Sequence, residues 1–186
     1  MTGMRGVVRP SSLPRAMKNI YIVGFMGTGK TVVGRALARK LRVDFVDLDS
    51  SIEAKENAAI AEIFKSRGEE YFRRIEKESL AAVCGKNMTV VSCGGGIVLD
   101  PENMARMKET GTCICLTASP QEILKRIGVT THRPLLRSGD PLERIQSLLS
   151  DRDAAYRRAD ILIDTTDLSV QEIVETVIRK LLPAGQ

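Results

Sequence analysis

Residues 19–31 read NIYIVGFMGTGKT. The opening IYIV, at 20–23, is a short apolar run bounded by glycine, as expected of a strand buried on both faces. The rest, GFMGTGKT at 24–31, fits G-x-x-x-x-G-K-[ST]. A helix-like period follows, with Val33, Leu37 and Leu41 on one face. Strand, glycine loop and helix in that order give the pattern its weight. Gly24, Gly27 and Gly29 let the backbone turn tightly and present N–H groups to phosphate oxygens. The helix N-terminus adds its dipole. Lys30 brings a point charge to the β- and γ-phosphates, and the Thr31 hydroxyl is a ligand for Mg²⁺. Average composition produces this pattern by chance in under about one chain in a hundred of this length. The loop therefore points to ATP or GTP; a plain glycine turn before a helix is the alternative.

Working outward, apolar runs at 20–24, 44–48, 88–92, 112–117 and 160–164 alternate with helix-like stretches. Asp100-Pro101, Ser119-Pro120 and Asp140-Pro141 each place a capping side chain before proline at the first helical position. Glu122 and Glu143 add the signature of a capping box to the last two, and Ser169 with Glu172 opens the final helix in the same way. This alternation predicts a three-layer α/β domain. No linker divides residues 18–186, so one domain is expected. The 186 residues are 43% apolar and 27% charged, which excludes wholesale disorder, and no run is long enough to span a membrane. The net charge of +5 hints at nucleic acid, but Arg5, Arg9, Arg15 and Lys18 account for most of it. Without those four, the 28 basic residues fall to 24 against 23 acidic ones. No basic stripe with interleaved aromatics remains. Residues 1–17 are polar and expected to be disordered, with Met17 a candidate natural start; removing 1–16 should then leave activity intact. Cys84, Cys93, Cys113 and Cys115 form no C-x-x-C pair, and the single His132 completes no zinc set. Buried thiols in a reducing compartment are expected.

Most folds with such a phosphate loop hold magnesium also through an aspartate at the end of a second strand. Asp47 and Asp49, at the end of the second run, are the suitable pair. As i and i+2 of a strand they would share a face, roughly 6.6 Å apart. One would orient metal-bound water, the other accept a hydrogen bond from an attacking hydroxyl; capping of the helix from about Ser50 is the competing role. A helix from about Glu69 to Cys84 carries Phe72, Ile75, Ser79 and Val83 inward. Arg73 and Glu76 stand one turn apart at the margin of that stripe, although spacing alone does not choose between Arg73 and Arg74. A helix over about 141–157 buries Ile145, Leu148 and Leu149, and Arg152 continues that stripe. A guanidinium there needs an anion: either an internal acid such as Glu76 or Asp49, or the carboxylate of a small substrate. Gly94-Gly95-Gly96 follows a strand directly and places bare backbone where open α/β sheets bind ligands. Residues 128–140, with Arg133 and Arg137 and no acid before Asp140, read as a mobile lid over phosphates; an ordinary surface loop is the alternative.

Together, GFMGTGKT, DLD, FRRIE, CGGG, HRPLL and DRDAAYRR resemble the shikimate kinase family, in the nucleoside-monophosphate-kinase-like branch of P-loop folds. The resemblance runs from about Lys18 to Leu182. It implies a P-loop fold with a five-stranded parallel sheet of order 2-3-1-4-5, and phosphorylation of the shikimate 3-hydroxyl by ATP. It assigns Gly27, Thr28, Gly29, Lys30, Thr31, Val32, Arg126 and Arg133 to the nucleotide, with Arg126 against the adenine and Arg133 on the phosphates from the lid. It assigns Thr31 and Asp47 to Mg²⁺, and Lys30, Asp49 and Arg133 to catalysis. Asp49 would contact the reacting hydroxyl. Arg73, chosen over Arg74 by the family pattern alone, and Arg152 would clamp the carboxylate. Glu76 would steady Arg73 or the substrate, and Gly94, Gly95 and Gly96 would lie along the substrate, Gly95 lending backbone to a ring hydroxyl. The chain departs from the family at Asp153-Ala154-Ala155-Tyr156 and at Thr166-Asp167-Leu168. The expected setting is a cytoplasmic monomer without nucleic-acid or membrane partners. A gluconate or nucleoside-monophosphate kinase would share the loop and lid, and a non-catalytic nucleotide switch would share the loop alone.

Overall fold

The computed structural model describes residues 18–86, 88–128 and 140–182. Their strands are β1 (Asn19–Gly24), β2 (Asp44–Asp47), β3 (Thr89–Ser92), β4 (Gly111–Thr117) and β5 (Ile161–Asp164). The helices are α1 (Lys30–Leu41), α2 (Leu48–Glu56), α3 (Ile60–Cys84), α4 (Pro101–Thr110), α5 (Pro120–Ile127), α6 (Pro141–Tyr156) and α7 (Val170–Leu181). The strands form one sheet of order β2-β3-β1-β4-β5, and every neighbouring pair is parallel. This is the expected order.

Alternation along the strands divides the core in two. Ile20 and Ile22 of β1 face Val33 and Leu37 of α1 and Ile173, Val174 and Val177 of α7. Tyr21 and Val23 face the other way, onto a larger layer built by α2 to α6. Cys113 and Cys115 share that second face; with Cys93 they are buried, and all four cysteines are free thiols. The two edge strands are less enclosed than β1. β2 is only half-buried or exposed along its length, and Leu162 of β5 is 42% exposed. A strand at the sheet margin has one neighbour, so its apolar residues are not all enclosed.

Four helical expectations change. α3 begins at Ile60, not Glu69, because two helical pieces run together across Gly68, whose backbone (φ 82°, ψ 173°) is non-helical. The glycine interrupts the apolar period, which hid the first piece. Within α3 Leu80 is buried where Ser79 was expected, and Leu149 of α6 is only half-buried. The capping box is complete at Ser169 alone. Ser119 accepts from Glu122 N, but Glu122 turns its carboxylate to Arg126. Asp140 caps through Leu142 N instead. Among the described residues no helix is long and apolar enough to cross a membrane.

Candidate functional site

Every parallel strand points its C-terminal end the same way, so the loops that follow β1 and β3 and the start of α2 after β2 lie at one edge of the sheet. Those of β1 and β3 surround a cavity of about 620 Å³, with Asp47, the last residue of β2, on its wall. The loop after β1 requires glycine at Gly24, where φ is 137° and a Cβ would stand 2.2 Å from the Leu116 carbonyl oxygen. Gly27 and Gly29 also have positive φ. Lys30 opens α1 and donates from Nζ to the Phe25 carbonyl at 2.9 Å. Gly27, Gly29, Lys30, Thr31 and Val32 line the cavity. Thr28 does not: it is fully buried, and its hydroxyl donates to the Phe25 carbonyl at 2.8 Å.

Asp47 and Asp49 do not project from one strand as i and i+2. Asp47 ends β2 and caps α2, its Oδ1 accepting from Ser50 N at 3.1 Å. Its other oxygen accepts from the Thr31 hydroxyl at 2.7 Å. The capping role and the loop-facing role therefore belong to the two oxygens of one carboxylate. Asp49 sits inside the first turn of α2. Ser92 Oγ lies 3.4 Å from Thr31 Oγ1. Thr31, Asp47 and Ser92 are hard oxygen donors of the kind Mg²⁺ takes alongside phosphate and water, so this corner fits that ion. Among the described residues no three His, Cys, Asp or Glu side chains gather into a metal cluster of their own.

The opposite wall comes from α3 and α6. Arg73 donates to Glu76 at 2.7 Å and to Glu69 at 3.2 Å. Arg74 points to solvent beside Glu78 and does not line the cavity. Arg152 does line it, and among the described residues no carboxylate comes within ion-pair distance. Its guanidinium stands 5.8 Å from the Phe25 ring centroid. Tyr156, one turn on, donates to the Gly95 carbonyl at 2.8 Å. Burial pushes the Tyr156 hydroxyl up to about 12, with Arg152 acting against the rise.

Gly94, Gly95 and Gly96 have none of the positive φ angles that demand glycine. Space is the constraint instead. A Cβ at Gly94 would lie 2.8 Å from Asp49 Oδ1 and 3.0 Å from Glu76 Oε1, and one at Gly96 would lie 2.6 Å from Arg73 Nη2. Asp49 Oδ1 and Glu76 Oε1 are buried without a hydrogen-bond partner in the protein, and both face the same point above the turn. Burial, then the Asp47 carboxylate, raises the Asp49 carboxyl above its ordinary range, while Lys30 and Arg73 pull it back. Burial likewise raises Glu76 against the pull of Arg73. Two unpartnered carboxylate oxygens and a cation without an internal acid are costly to bury. A ligand bearing hydroxyls and an acid would satisfy all three.

Arg126 reaches the cavity rim, held by Glu122 at 2.9 Å and by the Thr165 hydroxyl and carbonyl at 2.9 and 2.6 Å. Arg133, Arg137 and His132 fall outside the described residues. Ile60 and Phe64, which line the cavity with Phe72, had no expected role, because the helix was expected to begin only at about Glu69. Ser92 also had no expected role, although the strand end before CGGG was an available signal for it. Tyr156 was named only within DRDAAYRR; its bond to Gly95 spans 61 residues and has no local signal.

A shikimate kinase family model matches residues 26–182. A shikimate kinase of Thermodesulfovibrio yellowstonii is 47% identical over 164 residues, covering 88% of this chain and 95% of the relative. One from Caldanaerobacter subterraneus is 44% identical over 163 residues, with the same coverage of both. The solved shikimate kinase from Acinetobacter baumannii in complex with shikimate superposes with a TM-score of 0.85 at 34% identity, covering 90% of this chain and 94% of that one.

Proposed function

The chain belongs to the shikimate kinase family, and from that premise we infer how its site carries γ-phosphoryl transfer from ATP to the 3-hydroxyl of shikimate. The products are 3-phosphoshikimate and ADP. The observation that carries this assignment of roles is the convergence of Asp49 Oδ1, Glu76 Oε1 and Arg152 on the cavity that the Lys30 loop opens into.

Lys30 and the amides of residues 27–31 hold the β- and γ-phosphates, and Lys30 leaves the Phe25 carbonyl to do so. Thr31 and Asp47 hold Mg²⁺, which supplies charge neutralisation on the phosphates when bound. Val32 and Arg126 flank the nucleotide, Arg126 beside the base. Arg73 and Arg152 grip the substrate carboxylate. The Gly94–Gly96 turn and Glu76 receive the ring hydroxyls that are not phosphorylated. Asp49 accepts a hydrogen bond from the attacking hydroxyl and takes its proton as the new P–O bond forms and the bond to the ADP oxygen breaks. Little covalent work falls to the protein in such a transfer; positioning and charge stabilisation dominate. The family resemblance also gives Arg133, which lies outside the described residues, a role on the phosphates, where its positive charge would add to that of Lys30. The enzyme acts as a cytoplasmic monomer on a small molecule, without nucleic acid.

The test is ADP release from the full chain with shikimate, gluconate, AMP or no acceptor. Stimulation by shikimate alone is expected. Equal stimulation by gluconate or AMP, or none by any acceptor, would overturn the assignment.

A further inference from the structure

The bend in α3 is fastened from two sides. At Gly68 the backbone takes φ 82° and ψ 173°, a region essentially closed to residues with a Cβ. Space is not the reason, since a Cβ there would meet nothing within 4 Å. On the cavity side Phe64, before the bend, stacks on Phe72, after it, with ring centroids 4.6 Å apart. On the other side Glu56, the last residue of α2, is bonded to both pieces at once. Its Oε2 accepts from Arg67 Nη1 at 2.8 Å, before the bend, and from the Tyr71 hydroxyl at 2.8 Å, after it. Arg67 also contacts the Tyr71 hydroxyl and lies 4.7 Å over its ring. The Glu56 side chain is only 12% exposed, so a single enclosed carboxylate ties α2 to both halves of α3.

The piece before the bend carries Ile60 and Phe64 to the cavity, and the piece after it carries Phe72, Arg73 and Glu76. The bend angle therefore sets the distance between an apolar wall and the charged wall facing Asp49. We propose that Glu56, acting through Arg67 and Tyr71, is a positioning residue that fixes this angle and so sets affinity for the acceptor. The proposal rests on the reading of this half of the cavity as the acceptor side. Glu56 itself does not line the cavity.

The test is steady-state kinetics on the full chain with ATP and shikimate varied in turn. Glu56→Ala should raise KM for shikimate by about five-fold or more, with KM for ATP and kcat held within about two- to three-fold. Glu56→Gln keeps an oxygen for Tyr71 and should recover part of the loss. Should Glu56→Ala not fold, Tyr71→Phe removes one hydroxyl from the same cluster and should show the smaller version of the same split. The double variant Glu56→Ala/Tyr71→Phe should be no worse than Glu56→Ala alone, since the residues act as a unit. A lowered Tm with both KM values unchanged, or equal shifts in both, would overturn the proposal. Arg152→Ala separates the two layers of the argument. If it raises KM for shikimate while a folded Glu56→Ala does not, only the positioning role fails; if it too leaves KM unchanged, the acceptor-side reading fails, and the proposal with it.

Discussion

At the scale of one residue, Asp49 carries a cost to stability that its proposed role as proton acceptor would explain. Its Oδ1 is buried and unpartnered, and burial holds its carboxyl above the ordinary range. A folded-state pKa above the unfolded value means that the native chain binds the proton more tightly. The resulting destabilisation is absent below the unfolded carboxylate pKa, about 3.9, and complete above the raised folded one. Asp49→Asn should therefore be more stable than the native chain at pH 7, with Tm higher by about 2–4 °C for each kcal/mol recovered, and the gain should vanish toward pH 4. Turnover should fall by about 10²-fold or more, since the oriented acceptor of the proton is gone. The native enzyme should lose kcat/KM in acid as Asp49 takes up its proton, at a pH above the ordinary carboxylate range. Thermal melts and pH–rate profiles of both proteins check this; a variant that melts lower at pH 7 would contradict the burial argument.

At the scale of elements, two glycine turns on one sheet edge serve different ends. Gly24 sits where a Cβ would overlap the backbone of β4 at 2.2 Å, on a positive φ. Neither backbone can give way, so Gly24→Ala should cost stability and expression first. Gly94 has no such φ, and the atoms nearest a Cβ there are the carboxylate ends of Asp49 and Glu76. Those ends can shift by a few tenths of an ångström. Gly94→Ala should fold with a denaturant midpoint near that of the native chain, yet lose about ten-fold or more in kcat/KM for shikimate. Equal loss of stability in the two variants would show that the turn after β3 is held by backbone geometry, not by the room its ligands need.

At the scale of the whole molecule, the sheet separates a face that builds the site from one that supports it. Ile173 of α7 is 3% exposed and packs in the layer with α1, away from the cavity. Ile173→Ala should cost about 2–5 kcal/mol of stability while both KM values stay unchanged, measured by denaturant unfolding beside kinetics at a temperature where the variant is folded. A change in either KM would mean that the supporting layer tunes the site through α1.

What could be read from the chain alone was local. The strand, the glycine loop and the lysine at 30 are contiguous, and their phosphate-binding geometry follows from the backbone freedom and charge of eight successive residues. Strand–helix alternation and capping prolines are local too, which is why most element positions are legible within a residue or two. Strand order is not local: alternation by itself admits several orders, and it was the family resemblance of the motif series that implied the one observed. Spacing left Arg73 and Arg74 open; the family pattern implied Arg73, and the fold places it on the cavity. Only the folded chain decided that Asp47 caps α2 and accepts from Thr31 at once, and that Ile60 and Phe64 form a wall. It alone brought Asp49, Glu76 and Gly94 within 3.0 Å of one point. These residues are separated by tens of positions in sequence. Which oxygen is buried, and which cation lacks an acid, depends on neighbours that only packing brings together.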